Sequence, residues 1–270
     1  MNEKRGIVIV SKVVVITGAS KGIGFEAAKV FKKNNYKVYD LSRTGKDSDI
    51  SSHIYCDVTD YNTVESAINE VINREGRIDT VISNAGFGIS GSVEGHSYKN
   101  IRSQIDVNFV GCSFLANATL KHIRNTKGRI IFMSSVAAVI PIPFQAIYSA
   151  TKAAILSLAQ CLDNELEGSG ARAIALLPGD LSTSFTKNRI KNEFEPDFYH
   201  LRVENSVGKM EKDEINGMKP IVIANKLYKL ATQKNPKVKS SVGILYKFAL
   251  VLGMILPVRL KQFIIKKMYA

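Results

Sequence analysis

Hydrophobic positions along the chain follow two rhythms: short apolar, β-branched runs, and longer stretches in which apolar positions recur every three or four residues. The runs at 12–16, 37–41, 52–56, 79–83, 129–134 and 171–177 predict strands. The first, Lys12-Val13-Val14-Val15-Ile16, is apolar throughout after its lysine, as a parallel strand covered on both faces requires. Helical periodicity covers 22–33, the segment from the Thr59-Asp60 cap to about 74, 97–125, 146–167 and 220–232, and a last strand is expected at 241–243. This alternation predicts a single doubly wound α/β domain over 1–243, built on a parallel sheet. Within it, 184–218 is polar and weakly periodic and predicts a mobile lid, with Phe185, Phe194, Phe198 and Tyr199 as an apolar pocket wall or as anchors. The tail, 244–270, is apolar with Pro257 near its middle and predicts a helical extension of two helices split at that proline.

Candidate chemistry gathers where predicted strands end. Thr17-Gly18-Ala19-Ser20-Lys21-Gly22-Ile23-Gly24 follows the first strand and opens the first helix. Glycines there let the backbone turn tightly and approach a pyrophosphate, whose charge meets the free N–H groups and dipole of the helix. Tyr148 and Lys152, four residues apart, share one face of the helix at 146–167. An ammonium beside a phenol favours the phenolate, so Tyr148 can trade protons nearer neutrality than a free tyrosine. Ser135 stands at the end of the 129–134 strand, thirteen residues before Tyr148, where its hydroxyl can bond whatever Tyr148 protonates. Alone, a Tyr-x-x-x-Lys pair is also what a surface helix carries by chance.

The glycine loop, Asn84-Ala85-Gly86, Asn108, Ser135, Tyr148-x-x-x-Lys152 and Pro178-Gly179 together resemble, in order and spacing, the classical short-chain dehydrogenases/reductases, over about residues 13–183. The resemblance implies a Rossmann-type domain that moves hydride between a nicotinamide and a carbonyl or alcohol. It implies catalytic roles for Tyr148 as proton donor, Lys152 as its partner and holder of the nicotinamide ribose, Ser135 rather than Ser134 as polariser of the carbonyl, and Asn108 as holder of a relay water. It implies cofactor contacts from Gly18, Ser20, Lys21, Gly22, Ile23 and Gly24, from Asp57 and Val58 at the adenine, from Asn84, Ala85 and Gly86 beneath, and from Pro178, Gly179, Leu181 and Thr183 at the nicotinamide. Ser42 falls where an NAD-selecting acid would stand, with Arg43 next to it and Lys21 in the loop. Two cations and a hydroxyl suit the 2′-phosphate of NADP(H). Asp40, two residues earlier, is the alternative: facing the ribose, it would select NAD. Asn84 serves equally as a brace between strands, Asp57 as a cap and Pro178-Gly179 as a rigid turn. The competing function is a catalytically silent NADPH-binding sensor or scaffold, against which the retained tyrosine and lysine argue.

Composition adds limits. With 270 residues, 45% hydrophobic and 23% charged, the chain is globular and has one core's worth of length. Its net charge of +13 comes from lysines found in nearly every segment, which points to a solvated basic surface and no nucleic-acid partner, with attraction to phosphate or membrane as the alternative. Cys56, Cys112 and Cys161 are far apart and not at metal-ligand spacing, so buried, reduced thiols, no metal and a cytoplasmic setting are expected. Residues 1–10, with Glu3, Lys4 and Arg5 before a short apolar run, make a poor signal peptide. The helix at 146–167, apolar nearly all round at 153–159, predicts a cover beyond the sheet, and the resemblance makes that a homodimer or homotetramer. For 244–270, packing over the cleft or a partner subunit competes with peripheral attachment to a membrane. The apolar tail and lid lean toward a small hydrophobic carbonyl or alcohol as substrate.

Overall fold

The computed structural model describes residues 11–269, so the signal-peptide reading of 1–10 lies outside the described residues. The first half runs β1 (Val13–Thr17), α1 (Gly22–Lys33), β2 (Lys37–Ser42), β3 (Ser52–Tyr55), α2 (Tyr61–Glu75), β4 (Thr80–Ser83), β5 (Ile89–Ser90), α3 (Tyr98–Ile105), a π turn over Asp106–Val110 and α4 (Gly111–Thr126). The second runs β6 (Arg129–Met133), α5 (Ala146–Glu165), β7 (Arg172–Leu177), α6 (Ser184–Lys187), β8 (Ile190–Lys191), α7 (His200–Ile215), α8 (Pro220–Thr232), β9 (Lys239–Ser241), α9 (Ile244–Ile255) and α10 (Val258–Tyr269). Seven strands form one parallel sheet in the order β3-β2-β1-β4-β6-β7-β9. The order reverses between β1 and β4, where an α/β sheet opens a crevice at its carboxyl edge.

Side chains alternate across a strand, and both faces of this sheet are dry. Val13 and Val15 of β1 join a core built from α2, α4 and α5 through residues such as Ile68, Leu115 and Ile155. Val14 and Ile16 join a second core with Ala27 and Phe31 of α1 and Ile223 and Leu227 of α8. That two-sided burial is why the central strands read as unbroken apolar runs, and the doubly wound expectation holds.

Several details depart from the sequence-based expectation. The last strand is Lys239–Ser241, because Gly243 takes a φ of +85° and turns the chain into α9. The helical pattern expected over 97–125 is broken by the π turn that carries Asn108. Residues 184–218 hold a helix of 16 residues, α7, whose apolar stripe is thin since it buries only Ser206, Val207 and Met210. The segment is tied to the 88–95 loop by Ile190 N–H to the Gly88 carbonyl (3.1 Å) and by the Glu195 carboxylate, which accepts from Ser92 N–H (3.0 Å). Phe194 and Phe198 point to solvent and line no cleft, leaving Phe185 as the wall residue of that group. Cys161 is exposed, against the expectation of three buried thiols, because it sits on the outward side of α5. The positive charge is less evenly spread than expected: after Glu214 the chain has eleven lysines and arginines and no acid, so that eleven of the thirteen net charges lie in its last fifth.

The tail forms two helices with Pro257 between them, as predicted. Leu250 of α9 enters the first core, Ile265 of α10 is buried, and Lys261 Nζ donates to the Gly253 carbonyl (3.1 Å) across the break.

Candidate active site

Built from its glycines upward, the carboxyl edge of the sheet is a cleft of about 1380 Å³. Gly18 and Gly22 have φ of +70° and +61°, conformations open to glycine at little cost. A Cβ on Gly24 would strike the Gly18 carbonyl, so α1 begins as close under the loop as a helix can. Asn84 braces the turn, its side chain donating to the Thr17 (3.0 Å) and Gly18 (3.1 Å) carbonyls. It also lines the cleft, so the two roles left open for it are compatible. Lys21 precedes α1 in extended conformation without a capping bond, which leaves the first N–H groups of the helix turned to the cleft.

At the tip of β2, Ser42, Arg43 and Thr44 line the cleft and Asp40 does not. Asp40 is 2% exposed, with one oxygen accepting from Ala19 N–H (2.8 Å) and the other from the Ser42 hydroxyl (3.0 Å). It is a strut beneath the glycine loop. Arg43 is exposed, its guanidinium 3.8 Å from Asp57. Burial acts to raise the Asp57 carboxyl, but bonds from Thr59 and the charge of Arg43 outweigh it and hold the acid below its ordinary range. Val58 meets the start of α4 where Gly111 leaves no room for a side chain.

The chemistry-bearing side chains converge across the sheet. Ser134 donates to the Lys152 carbonyl (2.8 Å) and is buried as a tie between β6 and α5, whereas Ser135 faces the cleft with Tyr148. Lys152 is 6% exposed, its Nζ donating to the Met133 carbonyl (2.7 Å) and lying 5.5 Å from the centroid of the Tyr148 ring. Burial pulls this ammonium down to about 8. Tyr148 is not lowered as Lys152 alone would predict: burial pushes the phenol up to about 12, with Ser135 pulling the other way. Asn108, fully buried in the π turn, clasps residue 87 by accepting from its N–H and donating to its carbonyl, each at 3.0 Å. Its remaining amide hydrogen goes to Thr151 (3.3 Å).

Beyond Tyr148 the cleft is apolar with a polar rim. Phe185 packs on the Tyr148 ring at 5.9 Å, and Thr183 caps α6 by accepting from Phe185 N–H (3.1 Å). Arg189 is a residue that the spacing of motifs gave no way to find. It is buried, bonded to Glu214 through Nη2, and keeps Nε and Nη1 without a partner beside the cleft. The tail closes the far side. The Tyr246 hydroxyl donates to Asp180 (2.7 Å) and accepts from its N–H (3.1 Å), while burial raises the Asp180 carboxyl despite that bond. Gly179 lies flat under the Tyr246 ring, where any Cβ would be driven into it. Gly179→Ala is therefore expected to cost about 1–3 kcal/mol of stability by overpacking, read as a lowered melting temperature that a second change, Tyr246→Ala, partly restores.

The profile of the short chain dehydrogenase family matches residues 12–193. The chain belongs to the short-chain dehydrogenases. The 3-ketodihydrosphingosine reductase of Bacteroides thetaiotaomicron is 31% identical over 264 residues, covering 96% of this chain and 98% of that protein. Among solved structures, ElxO with NADP bound superposes with a TM-score of 0.73 at 26% identity over 88% of this chain and 99% of the other. The 3-ketoacyl-(acyl-carrier-protein) reductase of Brucella melitensis, complexed with NADH, shares the fold with a TM-score of 0.72 at 23% identity over 86% and 96% of the two chains. This short-chain dehydrogenase is thus an oxidoreductase whose relatives hold nicotinamide dinucleotides. The left-handed glycines, the uncapped α1 and the close-packed Gly86, whose Cβ would come within 3.1 Å of Asn108 Oδ1, fit such a ligand along the β1–β4 edge.

Proposed function

We propose that this short-chain dehydrogenase reduces the ketone of a long apolar substrate with NADPH, or runs the reverse oxidation with NADP. The observation that carries the reading is the position of Tyr148, at the join between the glycine-rich and the apolar end of one cleft. When bound, the nicotinamide supplies the hydride. Tyr148, kept protonated by burial, donates its proton to the carbonyl oxygen, and Ser135 polarises that oxygen by hydrogen bonding. Lys152 orients the ribose and supports the phenolate that remains. Asn108 holds a relay water through the acceptor capacity its Oδ1 retains, and fixes Phe87 beneath the site. Gly18, Ser20, Lys21, Gly22 and Ile23 would hold the pyrophosphate, Gly24 serving only to let α1 start close beneath the loop, while Asp57 and Val58 would take the adenine, Asn84, Ala85 and Gly86 the ribose, and Pro178, Gly179, Leu181 and Thr183 the carboxamide.

Segment 184–218 and the tail wall the substrate end. Arg189, buried against Phe185 and Glu214, backs that wall, and Asp180 and Asp213 in the lining suit an amine on the substrate head. A 3-keto long-chain base such as 3-ketodihydrosphingosine, the compound in the name of the end-to-end relative, is the first candidate. The half-buried apolar residues of α5 suit a second subunit of a homodimer or homotetramer, in a reducing cytoplasmic setting.

Cofactor choice rests on Ser42, Arg43 and Lys21, with Asp40 turned away beneath the loop. Charge-assisted bonds to a 2′-phosphate contribute about 1.5–3 kcal/mol each, so NADPH should exceed NADH by roughly a hundredfold in kcat/KM. Arg43→Ala should weaken NADPH and leave NADH nearly unchanged. The test is oxidation of each nucleotide with 3-ketodihydrosphingosine and with a panel of other ketones. Equal efficiencies would remove the NADP assignment, and NADPH binding without turnover of any ketone would favour the silent sensor.

A further inference from the structure

The helices that wall the cleft also carry the largest run of apolar side chains left in water. Ile244, Leu245 and Ile255 are 87%, 74% and 72% exposed, and Val258 and Phe263 of α10 continue the face. Leu245 and Phe248 belong at once to this surface and to the cleft lining, so the apolar end of the site opens onto the patch. An isolated exposed leucine needs no explanation, but a contiguous apolar face does.

The charge around the patch says what covers it. Residues 244–270 hold Lys247, Arg259, Lys261, Lys266 and Lys267 and no acid, and none of the five is in an ion pair among the described residues. Lys226, Lys229, Lys237 and Lys247 crowd together beside it, so that Lys226, already lowered by burial, is lowered further by the other three. A second copy presenting the same face would bring like charges together, whereas an anionic lipid surface meets both the apolar residues and the cations. Each helix has 12 residues, and among the described residues no helix is long and apolar enough to cross a membrane. Such helices lie in the plane of the headgroups.

We infer that α9 and α10 are a docking surface for an anionic phospholipid bilayer, and that they set the mouth of the cleft against the lipid from which the substrate enters. The second half of this inference rests on the reading of the substrate as a long apolar ketone. The docking itself does not.

The test is co-sedimentation of the full chain, at low salt, with vesicles of equimolar phosphatidylglycerol and phosphatidylcholine and with vesicles of phosphatidylcholine alone. The anionic vesicles should carry down at least roughly tenfold more protein, and added salt should release it. Arg259→Glu with Lys266→Glu and Lys267→Glu, and separately Met254→Gln with Ile255→Gln and Val258→Gln, should each lose most of that binding. None of these six residues lines the cleft, so NADPH-dependent turnover of a short water-soluble ketone should stay at the parent level, which also shows that the variants fold. Equal sedimentation with both vesicle types, no sedimentation, or full binding by the charge-reversed variant would overturn the inference. So would a dimer in light scattering that the apolar variant dissociates, with no vesicle binding by the parent. Vesicle binding without ketone reduction would leave the docking standing and remove the proposed activity, and the reverse result would do the opposite.

Discussion

Replacing Tyr148 by phenylalanine is expected to lower turnover by about 10²–10⁴-fold, the range a positioned general acid supplies, while NADPH affinity changes by less than about twofold. The separation follows from what the ring and the hydroxyl each do. The ring packs on Phe185 at 5.9 Å and lies 5.5 Å from Lys152 Nζ, and phenylalanine keeps both contacts. The hydroxyl is the proposed acid. Burial pushes it up to about 12, so the reduction should show no loss of rate from its ionisation near neutrality. Stopped-flow turnover and NADPH fluorescence titration on the same variant check the two halves. Turnover within tenfold of the parent would remove Tyr148 as the donor.

Which parts of this site are legible in the sequence depends on how local their causes are. The glycine loop, Ser135, Tyr148 and Lys152 lie in elements whose periods are set by two-sided burial, so the order of motifs carries over to the crevice where β1 and β4 diverge. Asp40 and Ser42 are two residues apart on β2 and point the same way in a strand, so period alone does not separate them. The separation comes from Ala19, whose N–H reaches Asp40 from 21 residues away and turns it into a strut. Arg189 is invisible for a similar reason. Its partner Glu214 lies 25 residues on, in a helix whose thin apolar stripe hides it among charged residues. Gly179 reads as a turn residue, while the demand for glycine there comes from Tyr246, in a tail beyond the 12–193 family match. The clustering of charge after Glu214 was open to counting and needed no structure.

Lys152→Met should abolish efficient turnover, weaken nucleotide binding and yet raise the melting temperature at neutral pH. An ammonium brought down from 10.5 to about 8 by burial is a cost to folding that is fully present below about pH 8. The unfolded lysine still binds its proton between pH 8 and its ordinary value near 10.4, where the folded one has lost it, so the parent gains stability as pH rises through that window. Methionine removes the cost, about 3 kcal/mol by the size of the shift. It also strands the Met133 carbonyl, which accepts from Nζ at 2.7 Å, at a cost of about 1–3 kcal/mol. The net gain is about 1 kcal/mol, or roughly 2–4 °C for a chain of this size. The signature is in the difference between variant and parent: it should be largest at pH 7 and shrink toward pH 10, where the parent lysine is neutral as well. Tyr36, Tyr39, Tyr246 and Tyr269, raised to about 12 and away from Lys152, titrate in both proteins and cancel in that difference. Paired thermal melts across the range decide it. A difference that stays flat with pH would mean that Lys152 keeps its proton in the fold, and that its role beneath Tyr148 is that of a permanent cation.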